Sequence, residues 1–131
     1  MSKSAATLPQ VRIFDGKPDQ IQHVRTYVSE LVAGCPVADD AVLLSSDLAT
    51  NAIRHTASGL DGTLSVVVRV DSNSVKIEVH DLGAMTEPVL AVSGALQESG
   101  VGLGLVEAVA DFWGYYGDAE GRVVWFEMDW Q

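Results

Sequence analysis

An acid, an amide, an arginine and a histidine stand close together in the segment SSDLATNAIRHTASG, residues 45–59. A helix turns by about 100° per residue, so Asp47, Asn51 and Arg54 would share a narrow polar band, with His55 at its edge. Side chains of these types bind ions and move protons, but an acid and an arginine also fit a solvated helix face. The band is bordered by apolar positions, which makes it a candidate site beside the core.

A second set of candidate residues follows later in the chain. The segment HDLG places Asp81 at the end of a predicted strand, shortly before Gly83. The segment GVGLGL places Gly100, Gly102 and Gly104 at the entrance of a predicted helix. Free N–H groups and the positive end of a helix dipole suit a phosphate, although glycines also form ordinary tight turns. The segment has neither the Gly-Lys-Ser/Thr of a P-loop nor the parallel βαβ unit of a dinucleotide-binding fold.

The hydrophobic pattern predicts the elements that must position these residues. The order is β-α-α-β-β-loop-α-β-β. It predicts an α+β fold, a two-layer α/β sandwich whose mixed, mostly antiparallel sheet carries the helices on one face. The predicted elements are a strand at Val11–Phe14, a helix from Asp19 that ends at Gly34 and Pro36, a helix at Ala38–His55, strands at Thr63–Val70 and Ser74–Asp81, a glycine-led helix, and a last hairpin.

Length and composition predict one globular domain. The chain has 131 residues, of which 47% are hydrophobic and 20% charged. We expect an N-terminal tail over residues 1–10 and a single domain over residues 11–131. The net charge of −10 argues against duplex nucleic acid or an anionic membrane as a direct partner. It fits a basic partner, or serves solubility alone.

The single cysteine and the lack of long apolar runs are both typical of a cytoplasmic protein. Cys35 has no second cysteine with which to form an intrachain disulfide, which favours a reducing, cytoplasmic setting. No apolar run approaches about 18 residues, and the first ten residues lack a hydrophobic signal core.

Three motifs in order resemble the GHKL (Bergerat-fold, histidine-kinase-like) ATP-binding domain. SSDLATNAIRHT resembles the family's N-box, HDLG its G1 box and GVGLGLVEAVADFWG its G2 box, while GRVVWFEM is similar to its last strand. The resemblance covers about residues 11–129. Within the family, the chain looks most like the SpoIIAB/RsbW-type anti-sigma-factor serine kinases and similar small actinobacterial ATP-binding regulatory proteins.

The resemblance implies a nucleotide site with ATP and Mg²⁺ as cofactors. Asn51 would coordinate the magnesium ion, and Asp47 would orient or deprotonate the attacking hydroxyl group or water. Asp81 would accept a hydrogen bond from the adenine amino group, and Gly83 would let the base approach. The phosphates and the hinge of a lid, predicted over residues 84–99, would be held by Gly100, Val101, Gly102, Leu103 and Gly104. Arg54 and His55 would either support the site or simply close the helix.

The same resemblance implies a regulatory function. It favours an ATP-dependent serine/threonine kinase that phosphorylates a STAS-type anti-anti-sigma protein, sequesters a sigma factor, or does both, with a homodimer left open. Several residues depart from the family pattern. Asp47 replaces a glutamate, Met85 replaces a glycine, Val123 stands where relatives often carry a threonine near the adenine, and residues 85–99 contain no Lys or Arg. These departures leave open a catalytically weak or inactive protein that binds its partner as a sequestering module.

Overall fold

Five strands form one open sheet in the order β1-β2-β3-β5-β4, and every observed strand pairing is antiparallel. The computed structural model describes residues 8–55, 62–82, 101–118 and 120–131, with the side chains of 101–103 left out. The elements are β1 (Gln10–Asp15), α1 (Ile21–Leu31), α2 (Ala38–His55), β2 (Thr63–Val70), β3 (Ser74–Asp81), α3 (Val101–Val109), β4 (Phe112–Gly117) and β5 (Arg122–Asp129).

The observed elements confirm the predicted α+β fold and its element order. The first helix differs at its start, because Pro18–Gln20 form a short 3-10 turn before α1. The glycine-led helix differs more. It begins at Val101, so Gly102 and Gly104 lie within its first turn and not in a turn before it. Glycine disfavours a helix interior by about 1 kcal/mol, and burial of Val106 in the core offsets part of that cost.

The hydrophobic core lies between the helices and one face of the sheet. Side chains on the strands alternate between the two faces, so every second residue of β2 and β3 is buried. A fully buried Val, Leu, Ile or Phe side chain contributes about 1.5–3 kcal/mol. The core includes Phe14, Leu64, Val66, Val68, Val75, Ile77, Val79, Val124, Phe126 and Met128 from the sheet, and Val24, Val28, Leu44, Leu48 and Val106 from the helices.

Helix α2 is the central helix of this layer and packs against α1, α3 and β3. Its fully buried apolar residues include Ala41, Leu44, Leu48 and Ala52, at the three- and four-residue spacing of one helix face. Acids occupy its first turn, whereas Arg54 and His55 occupy its last, which suits the helix dipole. Among the described residues, no helix is long and apolar enough to cross a membrane.

Gly117 provides a test of the turn that joins β4 to β5. Its φ is 113°, and a Cβ there would collide with the backbone of Gly121. Gly34 has a φ of 88°, but a Cβ there would meet no described atom within 4 Å. We expect Gly117→Ala to lower the free energy of unfolding by about 2–4 kcal/mol and Gly34→Ala by about 1–2 kcal/mol. Urea unfolding measures both, and equal losses would contradict the backbone collision.

Candidate functional site

Three polar side chains form a stripe along α2, one at each helical turn. Asp47, Asn51 and His55 are each four residues apart, and each has a buried side-chain atom with no hydrogen-bond partner among the described residues. These atoms are Oδ2 of Asp47, both amide atoms of Asn51, and Nε2 of His55. A buried polar atom without a partner costs about 1–3 kcal/mol, so such atoms are rare in native proteins. The stripe therefore offers hydrogen-bonding and metal-binding capacity that the described fold does not use.

Two neighbouring serines show that polar residues on α2 can be satisfied within the helix. The hydroxyl of Ser45 donates to the carbonyl oxygen of Ala41 at 2.7 Å, and that of Ser46 donates to Leu43 at 2.9 Å. Both serines are buried, and both are satisfied locally. Asn51 is 4% exposed, as inaccessible as they are, yet its amide has no such partner among the described residues.

The carboxyl group of Asp47 is set up to exchange a proton near neutral pH. Burial raises the pKa of Asp47 to about 6, while the positive charge of Arg25 on α1 opposes the shift. A general base works best when its pKa lies close to the working pH. Strongly perturbed carboxyl groups also concentrate at functional sites, which makes Asp47 the best candidate base of the stripe.

The structure places Arg54 and His55, whose roles the sequence left open, in different environments. His55 turns its Nε2 inward at the end of the stripe, whereas Arg54 is exposed and takes part in another contact. The sequence placed Arg54 inside the polar band and His55 at its edge. Packing reverses this order, because the side of the helix that bears His55 faces the interior. The repeated four-residue spacing of Asp47, Asn51 and His55 was the available sign.

The strand register defines one end of the sheet. After His55, the chain reaches β2 at Thr63, and the start of β2 lies beside the end of β3, with Ser65 opposite His80. Asp81, the last residue of β3, lies opposite Arg122, the first residue of β5. We call this the Asp81 end of the sheet.

Asp81 is buried in contact with an arginine. Nε of Arg122 lies 3.4 Å from Oδ2 of Asp81, and the two side chains are 4% and 1% exposed. Sequence reasoning missed Arg122 and singled out Val123, as the position where relatives often carry a threonine near the adenine. In the structure Val123 pairs with His80 and so faces the opposite side of the sheet from Asp81. The register, rather than the motif, identifies the residue beside Asp81.

Helix α3 packs against α2 and leads into β4. Just after its last residue, the N–H of Asp111 donates to the carbonyl oxygen of Glu127 at 3.1 Å, at the end of β5 that lies away from Arg122. The first N–H groups of a helix lack partners within it, so the first turn of α3 offers donors that suit a phosphate. The predicted nucleotide-binding residues in this turn are Val101, Gly102, Leu103 and Gly104. Gly83, Gly100, Met85 and the predicted lid over 84–99 lie outside the described residues.

The donor atoms of the stripe fit a magnesium ion. Mg²⁺ prefers hard oxygen ligands and usually takes one or two from the protein, with water and substrate phosphates completing its shell. The buried amide oxygen of Asn51 is such a ligand, and the Asp47 carboxylate lies one turn away on the same face. Within the described ranges, no three His, Cys, Asp or Glu side chains are grouped to hold a metal by themselves. A bound Mg²⁺ would therefore depend on oxygens from its nucleotide.

Comparison with protein families agrees with this geometry. The model of the family described as the histidine kinase-like ATPase domain matches residues 14–128, which include β2, β3 and β4, all of β5 but its last residue, and the last two residues of β1. A comparison with curated proteins found no match. The family match supports ATP binding, and it spans both the α2 stripe and the Asp81 end of the sheet. Because it covers most of the chain, the protein belongs to the histidine kinase-like ATPase domain family.

Proposed function

We propose that this protein is an ATP-dependent regulatory kinase of the anti-sigma-factor type. Its Mg²⁺-bound ATP would lie between the α2 stripe and the first turn of α3, with the adenine at Asp81. The observation that carries the proposal is the set of buried side-chain atoms without a hydrogen-bond partner that Asp47 and Asn51 bring to one helix face. The family match supports the nucleotide, and the order of the motifs supports the kind of regulator.

Each residue of the site has a distinct role in this proposal. The amide oxygen of Asn51 holds the magnesium ion, which supplies positive charge to neutralise the phosphates when it is bound. The carboxylate of Asp81 accepts a hydrogen bond from the adenine amino group. The N–H groups of the Val101–Gly104 turn approach the phosphates, while Gly83 and Gly100 border the predicted lid.

Asp47 acts on the group that attacks the γ-phosphate. Above a pH of about 6 its carboxylate is largely ionised and can accept the proton of a serine or threonine hydroxyl. The hydroxyl oxygen then bonds to the γ-phosphorus as the bond to ADP breaks. Phosphoryl transfer depends mostly on positioning and charge neutralisation, so Asp47 mainly orients the attacking oxygen.

We propose a STAS-type anti-anti-sigma protein as the phosphate acceptor, with a sigma factor as the sequestered partner. The net charge of −10 suits a partner with a basic surface. It does not suit direct contact with nucleic acid or an anionic membrane. A reducing cytoplasm is the matching compartment for a chain whose single cysteine is Cys35.

A second candidate is a sequestering module that binds nucleotide but transfers little phosphate. The observation that favours it is the length of Asp47, which is one methylene shorter than the glutamate that the family usually carries. A shorter acid sets its carboxylate farther from the attacking hydroxyl group. Both candidates share the same nucleotide site, and phosphotransfer separates them.

Nucleotide binding tests the site first. We expect wild-type protein to bind ATP with Mg²⁺ in calorimetry, and Asp81→Asn to weaken binding about 10–100-fold, because the charge-assisted acceptor is lost. Asn51→Ala should weaken the binding of ATP mainly when Mg²⁺ is present. Asp40→Asn, in the exposed first turn of α2, is the control and should bind like wild type. No binding at millimolar ATP would exclude the nucleotide site.

Phosphotransfer tests the role of Asp47. We expect Asp47→Asn to keep ATP affinity within a few-fold of wild type while slowing phosphate transfer to a STAS-domain serine about 10²–10⁴-fold. Asp47→Glu, which restores the family's usual length, should match or exceed the wild-type rate. Radiolabelled transfer assays measure each rate. Equal rates for wild type and Asp47→Asn would remove Asp47 from the mechanism, and no transfer with ATP binding intact would favour the sequestering module.

Stability against pH tests the environment of Asp47. Its pKa is about 6 in the folded protein and about 4 when unfolded, so the folded state binds more protons between these values. The contribution of Asp47 to the free energy of unfolding therefore falls as the pH rises from 4 to 6. We expect Asp47→Asn to be more stable than wild type at pH 7 by about 1–3 kcal/mol, allowing for partial solvent exposure.

Urea unfolding of both proteins between pH 4.5 and 7.5 measures the difference. Asp40→Asn is again the control, because it removes a carboxyl group from an exposed turn of the same helix. A difference between wild type and Asp47→Asn that does not vary with pH would contradict the raised pKa.

A further inference from the structure

Arg122 is an exception among the inward-facing residues of β5. The next three residues on its side of the strand are Val124, Phe126 and Met128, which are all buried and apolar. Arg122 is also buried, at 4% exposure, and its guanidinium contacts Asp81 across the β3–β5 pair. The core-facing pattern of this strand therefore changes from apolar to charged at the Asp81 end of the sheet.

Stability alone does not account for this pair. Desolvating two charges offsets most of their attraction, and well-packed apolar residues in place of a buried ion pair are often as stable or more stable. The neighbouring inward positions of both strands carry such residues, including Val79 and Val124. The charged pair at Asp81 and Arg122 thus calls for a role in recognition.

The chemistry of the two side chains indicates that role. Burial by itself favours the neutral form of a carboxylic acid, which can donate a hydrogen bond, whereas an adjacent guanidinium favours the ionised form. An ionised carboxylate only accepts hydrogen bonds, and it has about four acceptor sites. Arginine keeps its positive charge and never accepts a hydrogen bond, so a guanidinium in contact with Asp81 favours the ionised, acceptor-only form of the carboxyl group.

We propose that Arg122 is a positioning residue that sets the purine selectivity of the site by keeping Asp81 as an oriented, acceptor-only carboxylate. This inference rests on the proposed function, in which Asp81 faces the base. A 6-aminopurine presents an amino donor to the carboxylate, whereas a 6-oxopurine presents a carbonyl oxygen that the carboxylate repels. Without Arg122, a protonated Asp81 could donate to that carbonyl oxygen, and discrimination would fall.

Adenosine diphosphate and inosine diphosphate are a matched pair of probes, because the amino group at position 6 of the first is a carbonyl group in the second. We expect wild type to bind ADP at least about 30-fold more tightly than IDP, since a site built to accept a hydrogen bond strongly rejects the wrong partner. Arg122→Met should reduce this ratio to about threefold or less. Arg122→Lys keeps the charge and a single donor, and should retain most of the ratio.

Calorimetry with Mg²⁺ gives both affinities for each variant, after circular dichroism has verified that the variant is folded. A general loss of binding cancels in the ratio of the ADP and IDP affinities. A merely structural role for Arg122 would therefore weaken the binding of both nucleotides equally and leave this ratio unchanged. That result would overturn the inference. Where Arg122→Met does not fold, Arg122→Gln keeps a neutral donor of similar reach and is judged by the same ratio. Failure of wild type to bind ADP at all would overturn the proposed function, and this inference with it.

Discussion

The seating of α2 against α1, α3 and β3 is the constraint on which the site depends. Buried residues such as Leu44 and Leu48 fix the rotation of this helix about its own axis, because a close-packed core does not deform gradually. The same rotation fixes where Asp47 and Asn51 point. A shift of one residue would turn the helix by about 100° and move both side chains off the face that they now occupy. The packing of the hydrophobic core therefore sets the directions of the Asp47 and Asn51 side chains.

The polar stripe also lowers the stability of the helix that carries it. The amide of Asn51 and one carboxylate oxygen of Asp47 lose water on folding without a hydrogen-bond partner among the described residues. Protein folds usually satisfy such groups, as Ser45 and Ser46 are satisfied on the same helix. Unfavourable burial persists where a ligand later supplies the missing contacts, and binding free energy then offsets the cost. The raised pKa of Asp47 has the same origin, because burial disfavours the charged form of its carboxyl group.

The Asp81 end of the sheet brings together residues from distant segments of the chain. Antiparallel pairing of β3 with β5 places Asp81 opposite Arg122, although 41 residues separate them in sequence. The turn between β4 and β5, with Gly117 in a left-handed conformation, lies at the same end. Side chains alternate between the two faces of the sheet, so Arg122 lies on the face that packs against the helices and Val123 on the opposite face.

The sequence by itself determined the local elements and the family. Apolar periodicity with glycine and proline boundaries predicted α2 at Ala38–His55 and the β2–β3 hairpin with the observed bounds, because these patterns act within a single element. The motifs likewise identified Asp47, Asn51 and Asp81 as candidates. Only the tertiary structure decided that His55 rather than Arg54 joins the stripe, and that Arg122 rather than Val123 lies beside Asp81. The physical reason is that packing sets which side of a helix is buried, and the register between strands distant in sequence sets which side chains meet across the sheet.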